Sequence, residues 1–369
     1  MVKKQTSAKR KSARGGGDAG GQTSASSKEP SATGTAAHVD DDDDSVPQQQ
    51  RLLNHFAAAF EPVLAADDFA QRVQAIKQAL FQRDFAAAFG RADHLAAYAA
   101  RWSPTRALCY ARIFQTHLPP HLHGDAQVSE ASSQRHIRMV SVGGCAAEHV
   151  AFANYLQNSQ PLSQNHSTTG DLVLLDSAPW ATVAATMQDT LTTPLPQSKY
   201  ASSSARAANL PFLQTPEQLR LQVLQQDALQ LNEAQWVDIF TLAAADPAVV
   251  VVTLLFTLNE LYTNGGISKT TKFLKALEAT LPDQALLLVV DSPGSFAEAA
   301  LGKDKKKYPM QWLLHHTLTD PASMAQRWTR LESDDSIWFR LSDQLKYPIP
   351  LENMRYQLHL YRIHKSPQL

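Results

Sequence analysis

The stretch Val140-Ser141-Val142-Gly143-Gly144-Cys145-Ala146-Ala147-Glu148 runs from a β-branched strand through a turn of small residues into a helix. Small side chains let a backbone approach a ligand closely, and a helix start presents unpaired N–H groups to it. Gly143, Gly144 and Ala146 are therefore candidate ligand contacts. The spacing departs from a G-x-G-x-x-G fingerprint, and a tight strand-to-helix turn without a ligand uses the same residue types. Outward from this stretch, short β-branched runs alternate with helix-like segments, the pattern of a parallel sheet with helical crossovers. Strands are predicted over 137–142, 171–175, 219–224, 248–256 and 285–290. The run Val249-Val250-Val251-Val252 is apolar on both faces, as a central strand covered on each side requires.

Two more strands, 336–341 and 354–364, flank Tyr347-Pro348-Ile349-Pro350, which is too short for a helical crossover, so they pair antiparallel. Five parallel strands followed by an antiparallel pair is the order of a Rossmann-like, seven-stranded class I S-adenosylmethionine-dependent methyltransferase sheet. A nicotinamide-binding domain more usually ends on another parallel strand. The chain is thus read as α/β with a helical N-terminal extension. Phe69, Val73, Ile76 and Leu80 share one helical face, with Asp67 or Asp68 as the cap, and Ser103-Pro104 opens another helix. The expected division is a tail over 1–49, a helical subdomain over 50–118, a loop over 118–134 and the methyltransferase domain over 135–369, with an inserted loop near 190–215.

The chain has 369 residues, 44% of them hydrophobic, which supports a large core beneath a polar tail. Thirty-four Lys and Arg against 35 Asp and Glu give a net charge of -1, which argues against a binder working by bulk positive charge. Two cysteines make neither a disulfide framework nor a zinc ribbon and fit a reducing, intracellular compartment. No apolar run suits a membrane span or a signal peptide. The tail carries the basic cluster Lys9-Arg10-Lys11 and an acidic run from Asp40 to Asp44; it reads as disordered, the cluster as a nuclear-import signal, an RNA-touching arm or simply solvated charge.

Besides the Gly143-Gly144 turn, two more strand ends carry groups suited to a nucleoside. Asp176 can accept from ribose hydroxyls with help from Ser177, and Trp180 can stack on a base; a helix cap and a packed aromatic are the plainer readings. Asp227 can accept from an adenine amino group while the backbone at Ala228 reaches a ring nitrogen, or it marks a surface turn. Asn259 and Glu260 follow the fourth strand, where a methyl acceptor would meet a sulfonium, and Asp291 ends the fifth. Such a transfer depends mostly on positioning, and an imide acceptor must also lose a proton, for which Glu260 and Asp291 are candidates. Lys303, Lys305, Lys306, Lys307 and Tyr308 form a basic loop with an aromatic, suited to RNA or to plain solvation. Arg106, Tyr110 and Arg112 either meet RNA or pack under the sheet. His117, His121 and His123 lack metal-ligand spacing and read as loop histidines, with no metal expected, and Cys145 reads as a small buried residue.

Several strings, among them Tyr110-Ala111-Arg112-Ile113-Phe114, Asp176-Ser177-Ala178-Pro179-Trp180, Thr257-Leu258-Asn259-Glu260-Leu261-Tyr262, Tyr308-Pro309-Met310-Gln311-Trp312 and Tyr347-Pro348-Ile349-Pro350-Leu351-Glu352-Asn353, resemble the fungal large-subunit ribosomal RNA uridine-N3-methyltransferase family. The resemblance spans about residues 65–365. It implies S-adenosyl-L-methionine as cofactor, a uridine of large-subunit rRNA, free or in a pre-ribosomal particle, as substrate, and ribosome biogenesis in the nucleus or nucleolus as the setting. Neither DNA nor a membrane is expected as a partner, and the cytoplasm is the alternative location. Gly143, Gly144, Asp176 and Asp227 are the donor-site positions it suggests. It carries over no catalytic base. Methylation of a protein or small molecule, and a non-catalytic assembly factor on the same fold, are the competing readings.

Overall fold

The computed structural model describes residues 45–122, 134–159, 167–241, 249–294, 296–301, 304–319 and 327–365. Helices α1 (Ser45–Ala59), α2 (Glu61–Leu64), α3 (Phe69–Phe81), α4 (Phe85–Phe89), α5 (Ala92–Arg101), α6 (Ser103–His117) and α7 (Pro119–Leu122) precede the sheet. Then follow β1 (Gln134–Val142), α8 (Ala146–Asn158), β2 (Ser167–Asp176), α9 (Ala181–Thr192), α10 (Ser203–Ala207), β3 (Leu219–Gln225), α11 (Glu233–Thr241), β4 (Val249–Leu255), α12 (Leu258–Thr280) and β5 (Leu286–Asp291). A hairpin of β6 (Phe296–Leu301) and β7 (Asp304–Pro309), helix α13 (Met310–Thr319) and strands β8 (Trp328–Phe339) and β9 (Met354–Ile363) complete the chain.

The seven-stranded sheet has the order β3-β2-β1-β4-β5-β9-β8. Strands β1 to β5 pair in parallel, and β9 runs antiparallel to both β5 and β8, as the strand pattern predicts. The valine run of β4 shows why the sheet is central. Val251 and Leu255 face one buried cluster, and Val250, Val252 and Leu254 face the other, because successive side chains alternate across a strand. The first cluster takes in α1, α5, α6, α8 and α9; the second takes in α11, α12 and α13. Leu52, Phe56 and Phe114 share their cluster with Leu172 and Leu288, so the helical region is one face of the same three-layer body and not a separate subdomain. Burying an aliphatic or aromatic side chain of that size contributes about 1.5–3 kcal/mol, which ties these helices firmly to the sheet.

Four expectations change. The first helix begins at Ser45 and not after 49, because Pro47 sits in its first turn and Leu52, Leu53 and Phe56 are buried one to three turns on. Asp68 stands at the cap of α3, but its carboxylate pairs with Arg72 and makes no cap hydrogen bond. The Lys-rich loop is instead strand β7, paired antiparallel with β6. His117 ends α6 and His121 lies in α7, and both hold the Glu332 carboxylate, at 2.5 and 2.7 Å. Residues 1–44, with Lys9-Arg10-Lys11, and His123 lie outside the described residues, as does Lys303. Helix α12 is broken at Gly266, whose φ is +68°, a conformation open to glycine.

Candidate active site

The carboxyl ends of β1 to β4 open into a cavity of about 640 Å³. At the end of β1, Gly143 has φ +75°, and a Cβ there would lie 2.4 Å from Thr257 Oγ1. Only glycine lets the turn pass so close to the start of α12. Gly143 lines the cavity; Gly144 and Ala146 do not. A Cβ on Gly144 would lie 2.2 Å from Ser141 Oγ, so this glycine closes the turn onto its own strand, and Ala146 is buried in the first turn of α8. The Cys145 N–H donates to Glu148 Oε2 at 2.7 Å, which aims the glutamate back across the helix start. Burial pushes the Cys145 thiol well up, so it remains a small packed thiol.

From β2, Asp176, Ser177 and Trp180 reach the cavity. Asp176 Oδ1 accepts the Ala178 N–H at 2.7 Å. Trp180 is 4% exposed and packs between Phe89 and Tyr98, with centroids 5.8 and 5.9 Å away, so it is a wall and not an open stacking platform. From β3, Asp227 and Ala228 line the cavity, and Asp227 Oδ1 accepts the Leu229 N–H at 2.9 Å. From β4 and α12 come Phe256, Thr257 and Glu260. Asn259 and Asp291 are not in the lining. Asp291 is 2% exposed and accepts the N–H groups of Asn259 at 2.9 Å and Ser292 at 2.7 Å. The first turn of α12 has unpaired donors, and this carboxylate serves them, so Asp291 anchors the helix that carries Glu260.

The helical layer adds a group that the sequence left between RNA contact and packing. Arg106 of α6 lines the cavity, hydrogen-bonds Tyr98 Oη, and lies over the rings of Phe256 at 5.3 Å and Tyr98 at 5.5 Å. Desolvation pulls its pKa down, but Tyr98, Tyr110, Glu148 and Glu260 together hold it above its ordinary value. Tyr110 itself is fully buried against Phe256. The acids show the reverse stress. Burial raises Glu148 and Glu260 to about 7 and Asp176 and Asp291 to about 6, against opposing backbone N–H groups or Arg106. Three of these acids line the cavity, a setting that favours a ligand bearing positive charge. Asn264, Gly265 and Lys269 of α12 complete that wall. An arginine among the apolar residues of α6 was the available signal for Arg106, as it was for Arg112, but only the packing of α6 on α8 directs Arg106 into the site.

Lys305, Lys306, Lys307 and Tyr308 fall on β7. The Tyr308 ring stacks on Trp312, and Trp312 on His316, at 5.5 and 4.9 Å. Among the described residues, no group of three or more His, Cys, Asp or Glu could hold a metal ion, and no helix is long and apolar enough to cross a membrane.

The model of a family described as "Putative SAM-dependent methyltransferase" matches residues 56–362. The chain belongs to that family. The methyltransferase match runs through the helical layer and the sheet alike, so Arg106 and the strand-end acids fall within it. The 25S rRNA (uridine(2843)-N(3))-methyltransferase of Saccharomyces cerevisiae is 30% identical over 310 residues, 79% of this chain and 77% of that protein. Among solved structures, the N-methyltransferase NodS from Bradyrhizobium japonicum WM9, in complex with S-adenosyl-L-homocysteine, is 10% identical with a TM-score of 0.30, over 62% of this chain and 79% of that one. TrmN from Thermus thermophilus is 10% identical with a TM-score of 0.32, over 70% of this chain and 48% of that one.

Proposed function

We propose that this S-adenosylmethionine-dependent methyltransferase methylates N3 of a uridine in large-subunit ribosomal RNA, free or within a pre-ribosomal particle, in the nucleus or nucleolus. The observation that carries the reading is the acid-lined cavity at the strand ends, taken with the likeness to the yeast uridine-N3 enzyme. The residues fit the cofactor. Asp176 and Ser177 stand where a ribose would be held, Asp227 and the backbone of Ala228 where an adenine edge would be, and Gly143 gives the chain its close approach. Glu148 and Glu260 would face the ligand's positive charge, and Arg106 would take its carboxylate. Gly144 and Ala146 keep the turn in shape.

Bound S-adenosylmethionine supplies a methyl group made electrophilic by a sulfonium. Transfer of that methyl would leave a neutral thioether, and Glu260, poised near neutrality by burial, would accept the proton that the acceptor nitrogen gives up. Asn259 and Asp291 hold the start of α12 beneath it. The lysine-rich sequence of β7, with Tyr308, is the RNA-binding segment of this reading. The test is nucleoside mass spectrometry of large-subunit rRNA from cells lacking the gene, complemented by wild type or by Asp176→Ala. Loss of one N3-methyluridine, restored only by wild type, is expected. An unchanged profile would end the rRNA assignment and bring a protein or small-molecule acceptor, or an assembly role, forward.

A further inference from the structure

Both ends of the short helix α4, Phe85 and Phe89, line the 640 Å³ cavity. At one end the Phe89 ring lies 5.8 Å from that of Trp180, which follows β2. At the other the chain is tied to α12, where Arg83 Nη1 donates to Thr263 Oγ1 at 3.1 Å. Arg83 has φ +58°, the left-handed value that usually falls to glycine where a helix closes. The N–H groups of Arg83 and Asp84 donate back to Leu80 O at 3.0 Å and Ala79 O at 2.9 Å, which fixes that turn. Asp84 then caps α4 by accepting the Ala87 N–H at 2.9 Å, so Phe85 starts the helix in a defined place.

Phe85 differs from the other rings around the cavity. Phe89, Tyr98 and Trp180 pack on one another, and Phe256 lies under Arg106. Phe85 is half-buried, and among the described residues no ring or guanidinium lies over it. Phe81, four residues earlier and outside the lining, is 89% exposed and equally uncovered. Two open rings in sequence offer π faces to successive bases. The opposite wall fixes what a base on Phe85 would meet. Glu260 and Asn264 are four residues apart on α12, so they share one helical face, and both line the cavity. Thr263 turns toward Arg83, whereas a Cβ on Gly265 would lie 2.5 Å from Leu229 Cδ1, on the Asp227 side. The adenine end of the cofactor thus belongs to one flank of α12 and α4 to the other. Asn264 is exposed, and its amide makes no hydrogen bond among the described residues.

We infer that the α4 flank of this cavity seats the acceptor uridine. Its ring stacks on Phe85, its N3–H faces Glu260, and a carbonyl beside N3 accepts from the Asn264 amide, while a neighbouring base stacks on Phe81. The inference rests on the rRNA reading above. The N3 proton passes to Glu260 as the N3–methyl bond forms and the methyl–sulfur bond breaks, all within one cavity. A cytidine would set the N3 lone pair against the Glu260 carboxylate, so the same contacts select uracil.

The test uses the full-length protein with Phe85→Leu, Phe85→Tyr, Phe81→Ala and Asn264→Ala. Phe85→Leu keeps an apolar wall and removes the π face; Phe81→Ala changes only an exposed side chain. Thermal midpoint and S-adenosylmethionine affinity are expected to stay at the wild-type values. Methyl transfer is measured on large-subunit rRNA and on pre-ribosomal particles from cells lacking the gene. Phe85→Leu and Phe81→Ala should each raise KM for RNA about tenfold, and Phe85→Tyr should restore it. Asn264→Ala should raise it about threefold. Wild-type KM in Phe85→Leu, or a loss of cofactor affinity there that matches its loss of transfer, would overturn the seat. Wild-type KM in Phe81→Ala or Asn264→Ala removes that contact from it. No transfer by the wild-type protein to either substrate would fell the rRNA function and the inference with it, a result distinct from a variant that behaves as wild type.

Discussion

Gly143 is where the site is least tolerant of a side chain. Its φ of +75° and the closeness of Thr257 mean that Gly143→Ala must strain the turn or push back the start of α12. A destabilisation of about 1–3 kcal/mol is expected from the backbone alone, read as a lowered thermal midpoint, with S-adenosylmethionine affinity reduced alongside. Gly144→Ala meets Ser141 instead, so it should lower stability with less effect on binding. Glu260 gives a different signature. Glu260→Gln should weaken cofactor binding modestly, through the lost charge, and beyond that slow methyl transfer at saturating cofactor about 10²–10⁴-fold. The wild-type rate should rise with pH through an apparent pKa near 7, a limb the variant lacks. At this scale the sequence was half legible. Asp176, Asp227 and Glu260 stand at strand ends, which a pattern of β-branched runs locates. Arg106 comes from another layer, and Asp291 is committed to two backbone donors; neither fact is written in local spacing.

Between β1 and β2, on the side remote from the cavity, Arg138 is 1% exposed and donates to Asp171 Oδ2 at 2.7 Å and to Phe240 O at 2.9 Å, while His136 Nε2 approaches the same carboxylate at 3.1 Å. This buried pair joins β1 and β2 to α11. Asp171→Ala would strand a buried guanidinium and should destabilise the protein by about 3–5 kcal/mol, measured by urea unfolding; the joint change Arg138→Met with Asp171→Leu should cost much less. Six strands of the sheet were legible because a covered sheet needs runs of β-branched and aliphatic residues, and because Tyr347-Pro348-Ile349-Pro350 leaves no room for a crossover; β8 was read only at its end, over 336–341, because most of Trp328–Phe339 is polar and exposed. The β6–β7 hairpin was not, since Phe296–Leu301 is alanine-rich and Asp304–Pro309 is lysine-rich, and neither composition signals a strand.

Across the whole molecule, the buried acids couple folding, cofactor and pH. Glu148, Glu260, Asp176 and Asp291 all have folded-state pKa values raised by burial, to about 7 or about 6. Between the ordinary carboxylate range and those values the folded state holds more protons than the unfolded state, so stability falls as pH rises through that window. The cofactor-free protein should therefore melt at a lower temperature at about pH 8 than at about pH 5. Affinity for S-adenosylmethionine should move the other way, since its positive charges favour the ionised acids, and titration calorimetry at both pH values checks this. The break in α12 at Gly266 bears on the same balance. The segment before it carries Glu260 and is tethered through Asp291; the segment after it is fastened into the core by Phe273, Leu274 and Leu277. A continuous helix would hold both halves on one axis, whereas this divided one lets the acid-bearing turns, themselves fastened by Leu258, Leu261 and Tyr262, take their own direction along the cavity wall while the rest of the rod follows the core.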